Sequence, residues 1–201
     1  MPNALLIFKK ELPRGHFCVY QSRPEFDFTS VKQTHSSIVQ NQHDVQKADL
    51  PKEADGMVGS SVVPMAILTA DCLPILLLGK NDHAFVHAGW RGLQKEILSH
   101  NLIQKIGPQY VFIGPHISVN YYEVQPDFRD NFKNISTDSK VFIEKEGKIF
   151  FNLAIVARLQ LESLYPGIKI EDSGSCTFQD ERFHSYRRNK TLERNWNIYI
   201  P

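Results

Sequence analysis

His35, Cys72 and His87 are the residues of this 201-residue chain whose types suit a metal. Imidazole and thiolate are good zinc donors, and one Cys with two His leaves a tetrahedral position open. The gaps of 37 and 15 residues between them exclude a zinc finger or ribbon. A buried small hydrophobe and two satisfied histidines would also account for these residues. Cys72 and His87, however, each lie against an apolar strand-like run, so one sheet rim could present both. His87 opens the segment HAGWRG, in which Gly89, Arg91 and Gly92 lead into a helical pattern. Backbone N–H groups there, with an arginine, suit an anion. Equally, Arg91 could pair with a surface carboxylate while Trp90 fills the core. Asp71 would point away from Cys72 in a strand, which makes it a partner for a buried polar group before a joint catalyst. Arg187 and Arg188, with Phe183, His184 and Tyr186 beside them, read either as a solvated basic patch or as a substrate-facing one.

The elements that must position these residues follow from periodicity. Leu5–Phe8 and Phe17–Tyr20 read as strands, and residues 32–37 as a turn feeding one. The polar stretch 40–56 reads as a surface loop with a turn at Asp55-Gly56. Ala66–Leu78 is one apolar run interrupted by Thr69, Asp71 and Cys72, and Ala84–Val86 is a second run. Apolar residues at 93, 97, 98, 102, 103 and 106 predict one helix, stopped by Gly107-Pro108. Tyr110–Ile113 and Tyr121–Val124 follow as strands, and Pro126–Asn134 as a short helix. A hairpin is expected about Gly147, then a helix over Leu153–Leu164 ended by Pro166-Gly167. Ile168–Ile170 is a strand, 173–185 a loop, and Asn197–Ile200 a closing strand. Strands outnumber helices, which predicts an α+β fold over 1–201: one domain of mixed β-sheets with helices packed on the outside.

Composition narrows the function. A net charge of +1 offers no bulk attraction to nucleic acid or membrane. No apolar run approaches the roughly 18 residues needed to cross a bilayer. Three widely spaced cysteines, Cys18, Cys72 and Cys176, suit reduced thiols and a cytoplasmic setting. A monomer or small homo-oligomer acting on small molecules is expected.

The motifs KQTH (32–35), ADGMV (54–58), LTADCLPILLL (68–78), HAGWRGL (87–93), IGPHIS (113–118), YYEV (121–124), CT (176–177) and FHSYRRNK (183–190) occur in this order. Through them the chain resembles the YfiH/laccase-domain family, also called multicopper polyphenol oxidase-like or peptidoglycan-editing-factor proteins. The resemblance implies a zinc site at His35, Cys72 and His87. It also implies purine nucleoside chemistry: phosphorolysis of adenosine, inosine and methylthioadenosine, and deamination of adenosine. Arg91, His116, Tyr186, Arg187 and Arg188 become candidates for substrate or phosphate contact, and Asp71, His116 and Tyr186 for orientation or proton transfer. Copper fits less well, because blue-copper centres use a weak axial ligand, typically Met, and Met57 and Met65 are not placed to supply it. Two departures stand out. The Gly-rich segment usual ahead of the KQTH-like motif is missing, and His116-Ile117-Ser118 replaces the frequent Cys-Ile-Gly after Gly114-Pro115.

Two other classes use the same residues. In a metal-independent cysteine hydrolase, such as one acting in peptidoglycan quality control, His87 or His35 would activate Cys72. In a structural zinc protein, Cys176 or His116 would close the site as a fourth ligand.

Overall fold

The computed structural model describes residues 4–134 and 138–201. Strand β1 (Leu6–Glu11) pairs with β2 (His16–Tyr20), and β3 (Thr29–Ser30) follows. The stretch expected to be a surface loop instead holds β4 (Val39–Asn41) and helix α1 (Gln42–Gln46), and ends in a fully buried Asp55. Next come β5 (Gly56–Gly59), β6 (Met65–Thr69), β7 (Leu73–Leu78) and β8 (His83–Ala88).

The single apolar run 66–78 is therefore two strands, and they belong to different sheets. β6 lies in a five-stranded sheet and β7 in a six-stranded one; the bend at Ala70–Cys72, with a cis Ala70–Asp71 peptide, passes the chain between them. β7 reads as unbroken hydrophobicity because both its faces are covered. Leu73, Ile75 and Leu77 face one core, while Leu76 and Leu78 face another.

The expected helix over 93–106 is also divided. Helix α2 (Trp90–Gln94), a 3₁₀ turn (Ile97–Ser99) and α3 (Asn101–Lys105) replace it. Glu96 adopts a left-handed φ of 54°, and the His100 ring accepts from Leu102 N at 3.2 Å to start the last piece. Breaking the helix lets Leu93, Ile97, Leu98 and Ile103 all reach full burial over the sheet, which a straight helix would not allow.

Strand β9 (Tyr110–Ile113) follows, then a 3₁₀ turn (Val119–Tyr121) that shortens the expected strand there to β10 (Glu123–Val124). Pro126–Phe132 is 3₁₀ where a short helix was expected. β11 (Phe142–Lys145) and β12 (Lys148–Phe151) form the hairpin about Gly147. Helix α4 (Leu153–Leu164) matches its periodicity; β13 (Lys169–Asp172), α5 (Tyr186–Asn189) and β14 (Asn195–Ile200) complete the order.

The five-stranded sheet runs β1-β2-β14-β6-β3, the six-stranded sheet β13-β9-β7-β8-β5-β4, and β10-β12-β11 form a small third sheet. Phe17, Met65, Ile67 and Tyr199 of the first pack against Met57, Leu76, Phe85 and Phe112 of the second. The second sheet's other face packs on Leu93, Ile97, Leu153, Val156 and Leu161 of the helical layer. This is the expected α+β arrangement of mixed sheets, with α2, α3 and α4 on the outer face of the six-stranded sheet.

Candidate functional site

Register brings the site together at one rim of the six-stranded sheet. Pro74 of β7 lies opposite His87 of β8, and Gly56 of β5 opposite Val86. Cys72, just before β7, therefore sits diagonally across from His87 on the same face, while Asp55, just before β5, lies beside it. The His87 amide donates to Asp55 O at 2.7 Å. His35 approaches from the loop ahead of β4 with a left-handed φ of 58°. One donor atom from each of His35, Cys72 and His87 falls within 4.8 Å of the others. The two imidazole rings meet edge to face at 4.7 Å.

Asp55 organises this cluster. Its carboxylate accepts from the amides of Thr34 (3.2 Å), His35 (3.0 Å) and Ser36 (2.5 Å), from Ser36 Oγ (2.7 Å) and from His87 Nδ1 (2.7 Å). Burial alone would raise its pKa, but hydrogen bonds from His87 and Ser36 hold it below the usual carboxylate range. An ionised carboxylate only accepts, so Nδ1 carries the proton and Nε2 is left for a ligand. Sequence reasoning read Asp55-Gly56 as a turn and missed this role. The available signal was that a ligating histidine needs an orienting acceptor.

Burial would push the Cys72 thiol up, but the charged His87 ring and hydrogen bonds from His35 and His87 bring it down to about 6. Burial would lower His87, whereas the Cys72 thiolate and Asp55 raise it to about 9. Gly89 leaves room beside them: a Cβ there would meet Cys72 Sγ at 3.0 Å and the His35 ring at 3.4 Å. A thiolate, two imidazoles, an oriented tautomer and a side-chain-free wall fit a zinc-sized ion.

The cluster opens into a cleft of ≈ 270 Å³ lined by His35 and Cys72 together with Asp71, Trp90, Arg91, Ile117, Tyr122, Leu153, Tyr186 and Arg187. A larger cavity of ≈ 620 Å³, beside α1 and Lys105, lies away from these groups. Arg91 stacks over Trp90 at 4.6 Å, and Arg187 lies over Tyr122 at 5.0 Å while donating to Glu123 O at 3.0 Å. Among the described residues neither guanidinium has a carboxylate partner.

Other expected residues are placed differently. Asp71 is not in a strand; it accepts from Thr177 Oγ1 at 2.6 Å and from the Arg187 amide at 2.9 Å, so it ties α5 to the bend bearing Cys72. Arg188 does not line the cleft and donates to the carbonyls of Thr177, Phe178 and Phe183, which holds the 173–185 loop closed. His116 is buried, makes a 2.8 Å hydrogen bond from Nδ1 to Gly114 O and does not line the cleft. Cys176 Sγ accepts from the Ser118 amide at 3.3 Å. Among the described residues, neither His116 nor Cys176 joins the His35–Cys72–His87 group.

Comparison with known proteins adds four findings. A family profile described as "Multi-copper polyphenol oxidoreductase laccase" matches residues 16–198. The chain is 35% identical over 156 residues to a purine nucleoside phosphorylase of Aquifex aeolicus, covering 75% of this chain and 72% of that one. It is 34% identical over 137 residues to a purine nucleoside phosphorylase YfiH of Shigella flexneri, covering 64% of this chain and only 56% of the relative. The crystal structure of a Neisseria meningitidis protein superposes with a TM-score of 0.76 at 30% identity, covering 86% of this chain and 74% of that one.

Proposed function

Since the chain belongs to the multi-copper polyphenol oxidoreductase laccase family, whose relatives above are named purine nucleoside phosphorylases, we propose that it is a zinc-dependent purine nucleoside enzyme. It would cleave adenosine, inosine or methylthioadenosine with phosphate and deaminate adenosine. The supporting observation is the His35–Cys72–His87 cluster opening onto a cleft that holds two arginines without acid partners.

His35, Cys72 and His87 would hold the zinc. When bound, it would supply Lewis acidity to a substrate in the cleft. Met57 and Met65 are sealed between the sheets, so neither is available as a weak axial copper ligand. Phosphorolysis forms a bond from a phosphate oxygen to the ribose anomeric carbon and breaks the bond to the base nitrogen. Positive charge builds on the ribose while the departing base takes the electron pair and then a proton. Arg91 and Arg187 would hold the phosphate, since a guanidinium presents a planar fork to two oxygens. Trp90, Ile117, Tyr122 and Leu153 would shield the reacting centre from water.

The test is metal analysis of purified protein with a nucleoside panel, with and without phosphate. About one zinc per chain and phosphate-dependent release of a purine are expected. Arg91→Ala should slow phosphorolysis about 10- to 200-fold, with deamination much less affected and zinc retained. Absence of both activities from zinc-loaded protein would defeat the proposal.

A second reading draws on one observation: Cys72, His87 and Asp55 form a nucleophile, base and orienting carboxylate in sequence. A metal-free cysteine hydrolase would leave Cys72 open to alkylation at once. The zinc enzyme would protect Cys72 until a chelator is added.

A further inference from the structure

Tyr122 lines the cleft, and neither its chemistry nor its surroundings suit a packing role alone. The ring is fixed on two sides, edge to face with Phe151 at 5.6 Å and beneath the Arg187 guanidinium at 5.0 Å. Its backbone is held as firmly, by a bond from the Tyr122 amide to Val119 O at 3.2 Å and one from the Phe151 amide to Tyr122 O at 2.9 Å. The hydroxyl, by contrast, has no hydrogen-bond partner among the described residues. The two most buried tyrosines differ in this respect: Tyr110 donates to Glu171 at 2.7 Å and Tyr199 to Arg14 O at 3.2 Å. A rigid ring carrying an unspent donor into a cleft is preorganised for a ligand. The charges acting on it are those of Cys72, Arg187, Asp71 and Arg91, which places it near the metal-ligand cluster and both guanidiniums that lack a carboxylate partner. A phenol is protonated at neutral pH, with an ordinary pKa of about 10, so it donates where the arginines attract an anion.

We propose that Tyr122 is a substrate-contacting residue whose hydroxyl donates a hydrogen bond to the anionic oxygen of the phosphate co-substrate held by Arg91 and Arg187. This rests on the phosphorolytic reading above and adds to it the residue that turns a pair of charges into a directional site. Two guanidiniums attract any anion. A fixed phenol selects one with an oxygen at hydrogen-bond distance from that point.

Tyr122→Phe removes one oxygen and keeps the ring on which Phe151 and Arg187 pack, so the fold and zinc content should be unchanged. Initial rates with inosine and inorganic phosphate, and calorimetric titration of phosphate into zinc-loaded protein, should be measured for both proteins. The KM for phosphate and its dissociation constant should rise about tenfold or more, while the KM for nucleoside moves less than about twofold. Unchanged phosphate binding and KM in Tyr122→Phe would overturn the proposal. So would a fall in kcat alone, which would place the hydroxyl against the departing base. If the wild type binds phosphate but does not turn over, the phosphorylase reading fails, and the binding ratio still decides for or against Tyr122. If the wild type neither binds phosphate nor turns over, both readings fall.

Discussion

Asp55 shows how much one buried carboxylate can carry. It orders the His35 loop through three amides and orients His87 through Nδ1. Asn at this position could still accept from His87, but its NH₂ group would face amide donors and break the other half of the arrangement. Asp55→Asn should therefore weaken zinc binding about 10- to 100-fold, read by competition with a chromophoric chelator while far-UV circular dichroism stays unchanged. Wild-type affinity in this variant would remove Asp55 from the site. Cys72 and His87 could be read together because both lay against apolar runs, whereas His35 joined them as a ligand set only through the family resemblance, in which it closes the KQTH motif. Asp55 was not legible in the sequence, because Asp-Gly has the local chemistry of a turn and its burial comes from β5 and β8 pairing in a register that no local pattern records.

At the scale of elements, the bend between β6 and β7 carries most of the consequence. It moves the chain from one sheet to the other, leaves Cys72 at the rim and turns Asp71 toward Thr177 and the α5 backbone. If Asp71 acts as a tether, an amide can replace it: Asn Oδ1 accepts from the Arg187 amide and the Thr177 hydroxyl rotates to accept from Nδ2. Asp71→Asn should keep most phosphorolytic activity, and Asp71→Ala should cost roughly 1–3 kcal/mol in urea unfolding. A collapse of activity in the Asn variant with stability intact would make Asp71 a proton-transfer group instead. The bend itself was hidden because an apolar run shared by two sheets looks like one long strand. The divided helix over 93–106 was hidden for a related reason, since spacing reports which face is apolar but not whether the axis turns.

Across the whole molecule, the two main sheets meet over an aromatic core that also contains His83. This residue opens β8, is 1% exposed, meets Tyr199 edge to face at 4.7 Å and has an Nε2 without a partner. Burial, aided by the Arg14 charge, lowers its pKa from 6.5 to about 4. The folded state therefore binds fewer protons than the unfolded chain between these values, and stability falls as pH drops from about 6.5 to 4. The loss should reach about 3 kcal/mol at the acid end, measured as the pH dependence of the urea midpoint. His83→Phe, which keeps the aromatic contact, should flatten that part of the curve, and an unaltered slope would acquit His83. The layering of helices outside sheets was readable from composition and period. The strand order was not, because alternation fixes a strand's faces and says nothing of its neighbours.

The position of β14 has a consequence for biosynthesis. Residues 195–200 form a middle strand, flanked by β2 and β6. Until they leave the ribosome, both neighbours present unpaired edges, the kind of surface that recruits other chains. The sheet that supports the Cys72 bend therefore cannot close before Asn195–Ile200 is made, and a nascent chain halted short of Asn195 leaves both edges open to chaperones and to other chains.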